Sequence, residues 1–88
     1  MALYKQGSAD AQIKVGAGKL FGVFVSSTSS GTFALYDTAT SSTSDPKIVA
    51  TVTPAAGTQY VSFPAGLWFS NGLFIDVANT IEYTVAYE

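Results

Sequence analysis

Gly72-Leu-Phe-Ile-Asp-Val-Ala-Asn-Thr-Ile-Glu-Tyr-Thr-Val-Ala-Tyr-Glu88 is the stretch whose reading decides the fold. Taken in twos, Leu73, Ile75 and Val77 share one face, opposite Phe74, Asp76 and Ala78. After Asn79 the alternation resumes, with Ile81, Tyr83, Val85 and Tyr87 opposite Thr80, Glu82, Thr84, Ala86 and Glu88. A period of two held over this length marks β-strands with one buried face. The polar break at Ala78-Asn79-Thr80 predicts a turn, because Asn tolerates positive φ at little steric cost. The stretch is therefore expected to be a terminal hairpin against which the rest of the chain is laid.

Working outward from it, the same pattern recurs. Ser70-Asn-Gly72 is a turn, preceded by the short apolar piece Leu67-Trp-Phe69 and by a break at Pro64-Ala-Gly66. Thr58–Pro64 places Gln59, Val61 and Phe63 on one face, and Lys47–Thr53 places Ile48, Ala50 and Val52 inward. Pro54-Ala-Ala-Gly57 reads as a turn, Ala39–Pro46 as a hydroxyl-rich loop and Ser27-Thr-Ser-Ser-Gly31 as another turn. Between the last two, Thr32–Thr38 alternates Phe33 and Leu35 against Ala34 and Tyr36. Lys19–Ser26 is apolar on both faces, with Leu20, Gly22 and Phe24 opposite Phe21, Val23 and Val25, so the strand is either covered on two sides or contributes its second face to an interface. Gly22 in mid-strand signals a bulge or a close backbone approach. Ala11–Val15 is a short first strand, followed by a turn at Gly16-Ala-Gly18. The sum is an all-β chain: a single small antiparallel β-sandwich, jelly-roll-like, or a barrel, with six to eight short strands and a turn roughly every ten residues. Residues 1–10 show no period and read as an N-terminal arm ordered by a neighbour; residues 11–88 are the domain.

The bulk composition bears on how such a domain is stabilised. A chain of 88 residues is one domain, and its size limits the surface it can bury. With neither Cys nor His it has no disulfide and lacks the commonest zinc ligands, which leaves association with other chains. Charged residues make up only 11% of the chain, less than half the usual share, so much of the surface is expected to lie in contacts. The net charge is −2, with four Lys and no Arg, which argues against nucleic-acid binding. No apolar run approaches the roughly 20 residues of a membrane span. The first residues lack the apolar core of a signal peptide, so synthesis in the cytoplasm is expected.

Activating a Ser or Thr nucleophile needs a base, and His is absent. Asp76 and Glu82 lie on the two arms of the expected hairpin and could oppose each other as a glycosidase pair does, but solvated outward acids are the reading kept. Gly16-Ala-Gly-Lys19 fails the phosphate-loop pattern, having Ile13 and Leu20 where Gly and Ser or Thr are required. Asp37 and Asp45 flank the Ser/Thr loop, yet two carboxylates are too few for a calcium site. No catalytic, cofactor or metal residue is therefore expected. The aromatic residues Tyr60, Phe63, Trp68, Phe69 and Phe74 are read mainly as core, then as interface, then as a sugar-stacking platform. Trp68, between Gly66 and Gly72, is the best single interface candidate. Leu3 and Tyr4 of the arm join it, with Phe21, Val23 and Val25.

Gly22-Val-Phe-Val-Ser-Ser-Thr-Ser-Ser-Gly-Thr-Phe-Ala-Leu-Tyr-Asp37, Val52-Thr-Pro-Ala-Ala-Gly57, Phe63-Pro64 and Asn71-Gly-Leu-Phe-Ile-Asp-Val77 together resemble small β-domain virion structural proteins of tailed bacteriophages. The similarity covers residues 18–88 and rests on turn and strand signatures. It implies a non-enzymatic, cofactor-free capsid decoration or cement protein, made in the host cytoplasm and resident in the virion. Its partners would be the major capsid protein and copies of itself, with a homotrimer favoured. The alternative is a tail or fibre component, or a carbohydrate- or receptor-binding module taking a host glycan.

Overall fold

The computed structural model describes residues 3–41, 47–53 and 59–88, the side chains of 27–30 and 59 excepted. Among them are six strands: β1 Leu3–Gly7, β2 Ala11–Val15, β3 Gly18–Tyr36, β4 Lys47–Val52, β5 Gln59–Phe69 and β6 Gly72–Tyr87. The described residues contain no helix. All strands belong to one antiparallel sheet built on the pair β3–β6. Both are long, and each half of this ribbon carries its own flanking strands. One half is ordered β1–β6–β3–β5, the other β2–β6–β3–β4. The sheet is curled into a half-barrel, so that residues from both halves meet on its inner side.

That inner side is the core. Leu20, Val23 and Val25 from the first half pack in one cluster with Phe33, Leu35, Leu73 and Ile75 from the second. Ile81, Tyr83 and Val85 complete it, each at most 1% exposed. Burying a side chain of this size contributes roughly 1.5–3 kcal/mol before conformational entropy is counted. The period of two in the C-terminal stretch thus reports the buried face, as the sequence implies.

Two turns expected from the sequence are strand instead. β6 runs unbroken through Ala78-Asn79-Thr80, and β3 runs unbroken through Ser27–Gly31. Asn79 does adopt positive φ (62°), but as an irregularity inside β6: Ser29 and Ser30 both face Thr80 there. The two segments pair with each other, and the ladder hydrogen bonds outweigh their local turn preference. The six strands found among the described residues are within the expected number but longer than expected, three of them exceeding ten residues. Within residues 1–10, Leu3–Gly7 form the edge strand β1, paired to β6 from Leu3↔Tyr87 to Gly7↔Tyr83.

The local expectations at β2, the Gly16–Gly18 turn and the Ser70–Gly72 turn coincide with the structure, Gly16 having φ 103°. β4 departs in part. Its register with β3 shifts on both sides of Leu35, so Ile48, Val49 and Val52 reach the core while Ala50 is exposed. The expected turn at Pro54–Gly57 and most of the Ala39–Pro46 loop lie outside the described residues.

Asp37 ties the end of β3 to the β5–β6 turn. Its Oδ1 accepts the backbone N–H groups of Asn71 (2.7 Å) and Gly72 (3.2 Å), and its Oδ2 that of Ser70 (3.0 Å). Gln12 pins the segment after β3 to β2: Nε2 donates to the Thr38 carbonyl (2.6 Å) and Oε1 accepts from the Ser41 N–H (2.8 Å). On the outer side of this half Ala34, Tyr36 and Phe74 form a small buried cluster of their own.

Candidate functional site

The outer side of the other half is different, and the register defines it row by row. Tyr4, Ala86, Gly22 and Ser62 lie side by side across β1–β6–β3–β5. Gln6, Thr84, Phe24 and Tyr60 form the next row. Tyr4 is 76% exposed, Tyr60 57% and Phe24 40%. The Phe24 and Tyr60 rings lie 6.3 Å apart and tilted by 57°, an edge-on pairing within the range that aromatic quadrupoles favour. Gly22 permits this packing: a Cβ there would sit 2.5 Å from the Val61 carbonyl oxygen and 3.0 Å from the Tyr60 hydroxyl. Further along, Trp68 is 72% exposed and carries the Lys19 ammonium 4.6 Å from its ring centroid, a cation–π contact.

Two bulges shape this face. β3 shifts register between Leu20 and Gly22 against both neighbours, leaving Phe21 as the extra residue. Opposite it, β5 loops out at residues 63–66, where Gly66 takes φ 79°. A Cβ on Gly66 would lie 3.1 Å from the Phe21 ring and 3.0 Å from Lys19 Cδ, so Phe21 sits half-buried under the β5 bulge.

The bulge at Phe21 corrects the expected interface. Simple alternation placed Phe21, Val23 and Val25 on one outward face, but the extra residue shifts the phase, and Val23 and Val25 are fully buried in the core beside Leu20. Neither is available to a partner. Phe24 takes the outward position in their place. Leu3, 49% exposed, lies on the core side of the sheet at its β1 edge, in the row of Tyr87 and Leu20. Tyr4 and Trp68 are on the outer face and open. Of the five aromatics grouped by sequence, Phe69 and Phe74 are buried, Phe63 packs against the core, and only Tyr60 and Trp68 are exposed. The mid-strand Gly22 carries the signal for a bulge, but no residue pattern here specifies its phase.

The acidic residues have structural partners. Burial raises the Asp37 carboxyl, but the N–H groups of Ser70, Asn71 and Gly72 outweigh it and hold it below the usual value. Asp45 lies outside the described residues. Asp76 and Glu82 do not face each other across a hairpin; they lie six residues apart on one strand, about 20 Å along it. Asp76 instead meets Asp10, which accepts the Val77 N–H (2.7 Å). Burial first, then the Asp10 charge and a hydrogen bond with it, raise the Asp76 carboxyl against the attraction of Lys47. Burial and the Asp10 charge also raise Tyr83, whose hydroxyl donates to the Ala9 carbonyl.

Ser44-Asp-Pro-Lys47 has the Ser-x-x-Lys spacing in which a lysine can activate a serine. Ser44 lies outside the described residues, and Lys47 opens β4 with its ammonium 5.7 Å from the Tyr36 ring centroid. Among the described residues no three Asp or Glu side chains gather to hold a metal, and no pocket is formed. What the outer face can do chemically is stack and bury apolar area, with hydroxyl and amide groups of Ser62, Thr84 and Gln6 among the rings. Comparison with family models, curated proteins and solved structures finds no match to this chain.

Proposed function

We propose that this chain is a structural protein of a tailed-bacteriophage virion, a capsid decoration or cement subunit that stabilises the head shell by contact alone. The observation that carries the reading is the open outer face of β1–β6–β3–β5, with Tyr4, Phe24, Tyr60 and Trp68 exposed on a small domain of low charge. The resemblance of residues 18–88 to small virion β-domains supports it. On this reading the chain binds the major capsid protein and copies of itself, in a homotrimer by the resemblance, without catalysis or a cofactor. Burial of the aromatic face contributes roughly 25 cal/mol per Å² before the costs of association. β1 offers its outer edge to a strand of the shell, a mode in which backbone hydrogen bonds supply affinity. The same reading takes the half-barrel as a jelly-roll-like sandwich whose two layers are the two halves of the curled sheet.

The test is the copy number of the chain in purified particles relative to the major shell protein. A ratio of the same order is expected; absence from particles would sink the proposal. Trp68→Ala should weaken particle binding while leaving the far-ultraviolet circular dichroism unchanged. A second reading is a carbohydrate- or receptor-binding module of a tail or fibre, favoured by the exposed Tyr60 and Trp68 rings beside hydroxyl and amide groups. A copy number far below that of the shell, with glycan-array binding lost on Tyr60→Ala, would select it.

A further inference from the structure

We infer that the outer face of β1–β6–β3–β5 is a self-association surface that pairs with the same face of a second copy, sheet against sheet. The area is the first ground. Tyr4, Phe24, Tyr60 and Trp68 are exposed by 76%, 40%, 57% and 72%. With aromatic side chains of about 200 Å² each, they present on the order of 500 Å² of accessible surface. Two copies together bury about 1,000 Å², the lower bound for a specific interface.

The second ground is charge. Among the described residues, the rows Tyr4–Ala86–Gly22–Ser62 and Gln6–Thr84–Phe24–Tyr60 hold no charged side chain. Charges stand only at the two ends, Lys19 with Glu88 paired beside it at one and Glu82 at the other. Pairing the face with itself therefore places no like charges together at its centre, whereas a strongly charged partner finds nothing there to engage.

The third is relief. The Phe24 and Tyr60 rings are tilted by 57° and so do not present one flat plane to a flat ligand. The Tyr60 hydroxyl covers Gly22, and on either side of it the small side chains of Ala86 and Ser62 leave low ground that the rings of a facing sheet can enter. Packed sheets interdigitate side chains in this way across about 10 Å. The contact is isologous and closes at two copies, so it is separate from any three-fold contact. The dimer uses the face that the virion reading turns to the shell, so a given copy makes one contact or the other, and the two are tested separately, by the oligomeric state of the free chain and by its copy number in particles.

Sedimentation velocity of the purified chain across a concentration series tests the inference. A reversible monomer–dimer equilibrium is expected, little affected by salt. Tyr60→Ser should raise the dissociation constant at least about tenfold, as for a central aromatic anchor. Thr84→Lys, which sets an ammonium at the centre of each facing sheet, should give a monomer with unchanged circular dichroism. Val15→Ser, at a 69% exposed position on β2 in the other half, should change nothing. A wild-type chain that stays monomeric at its highest soluble concentration overturns the inference. So does an oligomer that survives Thr84→Lys, or a monomer whose Tyr60-dependent binding is to an oligosaccharide.

Discussion

Asp37 and Asp76 occupy two carboxylate environments of opposite sense. Asp37 accepts from three consecutive backbone N–H groups, and its folded pKa is depressed. A depressed carboxyl adds stability above its unfolded value, near pH 4, and that stability is lost as pH falls through the folded value. Asp37→Asn should cost about 1 kcal/mol at neutral pH, the low end for a charged acceptor because the turn is largely open to solvent. Urea titrations should show the deficit vanishing in acid; a deficit independent of pH would place the effect elsewhere. Asp76 is raised, by burial and then by Asp10. A raised carboxyl has its full contribution below the unfolded value and loses it as pH rises through the folded one. Asp76→Asn should therefore be more stable than the parent at neutral pH, by about 0.5 kcal/mol or less, with no advantage below about pH 4. Destabilisation at neutral pH would contradict the Asp10–Asp76 repulsion.

The course of β6 past Ala78 depends on the backbone conformation of one residue. Asn79 sits in the left-handed region, which Asn tolerates and β-branched residues avoid. Asn79→Val should cost about 1–2 kcal/mol and Asn79→Gly about 0.5 kcal/mol or less, read from urea midpoints at constant m-value. Equal effects of the two would mean that the side chain rather than φ matters. The same residue shows where the sequence is legible. The period of two around it identifies the buried face, since burial acts on every second side chain. It does not distinguish a turn from a bulge, because positive φ at Asn serves both and only the pairing of the neighbouring Thr80 with Ser29 and Ser30 decides between them. β1 leaves no alternation to read: its side chains are largely exposed, and backbone bonds to β6 hold it. In the candidate face, Tyr4 and Trp68 were legible as exposed aromatics. Val23 and Val25 were not placed correctly, because one extra residue at Phe21 reverses the phase from Gly22 to Val25 relative to Leu20.

At the scale of the whole molecule, the strands that pair are rarely neighbours in sequence. β6 closes the ladder with β1, β2 and β3 from the far end of the chain, Leu3 meeting Tyr87 and Leu20 meeting it from the other side. β5 pairs with β3, across the whole of β4. Only β3 and β4 pair as successive strands. Long loops must close before most contacts form, and their entropy is lost before burial compensates. Refolding should accordingly take milliseconds to seconds, in the range of non-local β-folds. Because β6 stays paired to β3 along both halves, removing residues 1–7 should not abolish folding. It should instead lower stability by about 1–3 kcal/mol, through loss of the β1 ladder that covers the edge of β6 beside the buried Tyr83 and Val85. Stopped-flow fluorescence of Trp68 and urea titration of the shortened chain measure both quantities. A full-amplitude microsecond phase would contradict a topology dominated by distant pairs, and an unchanged urea midpoint after truncation would remove β1 from the cooperative unit.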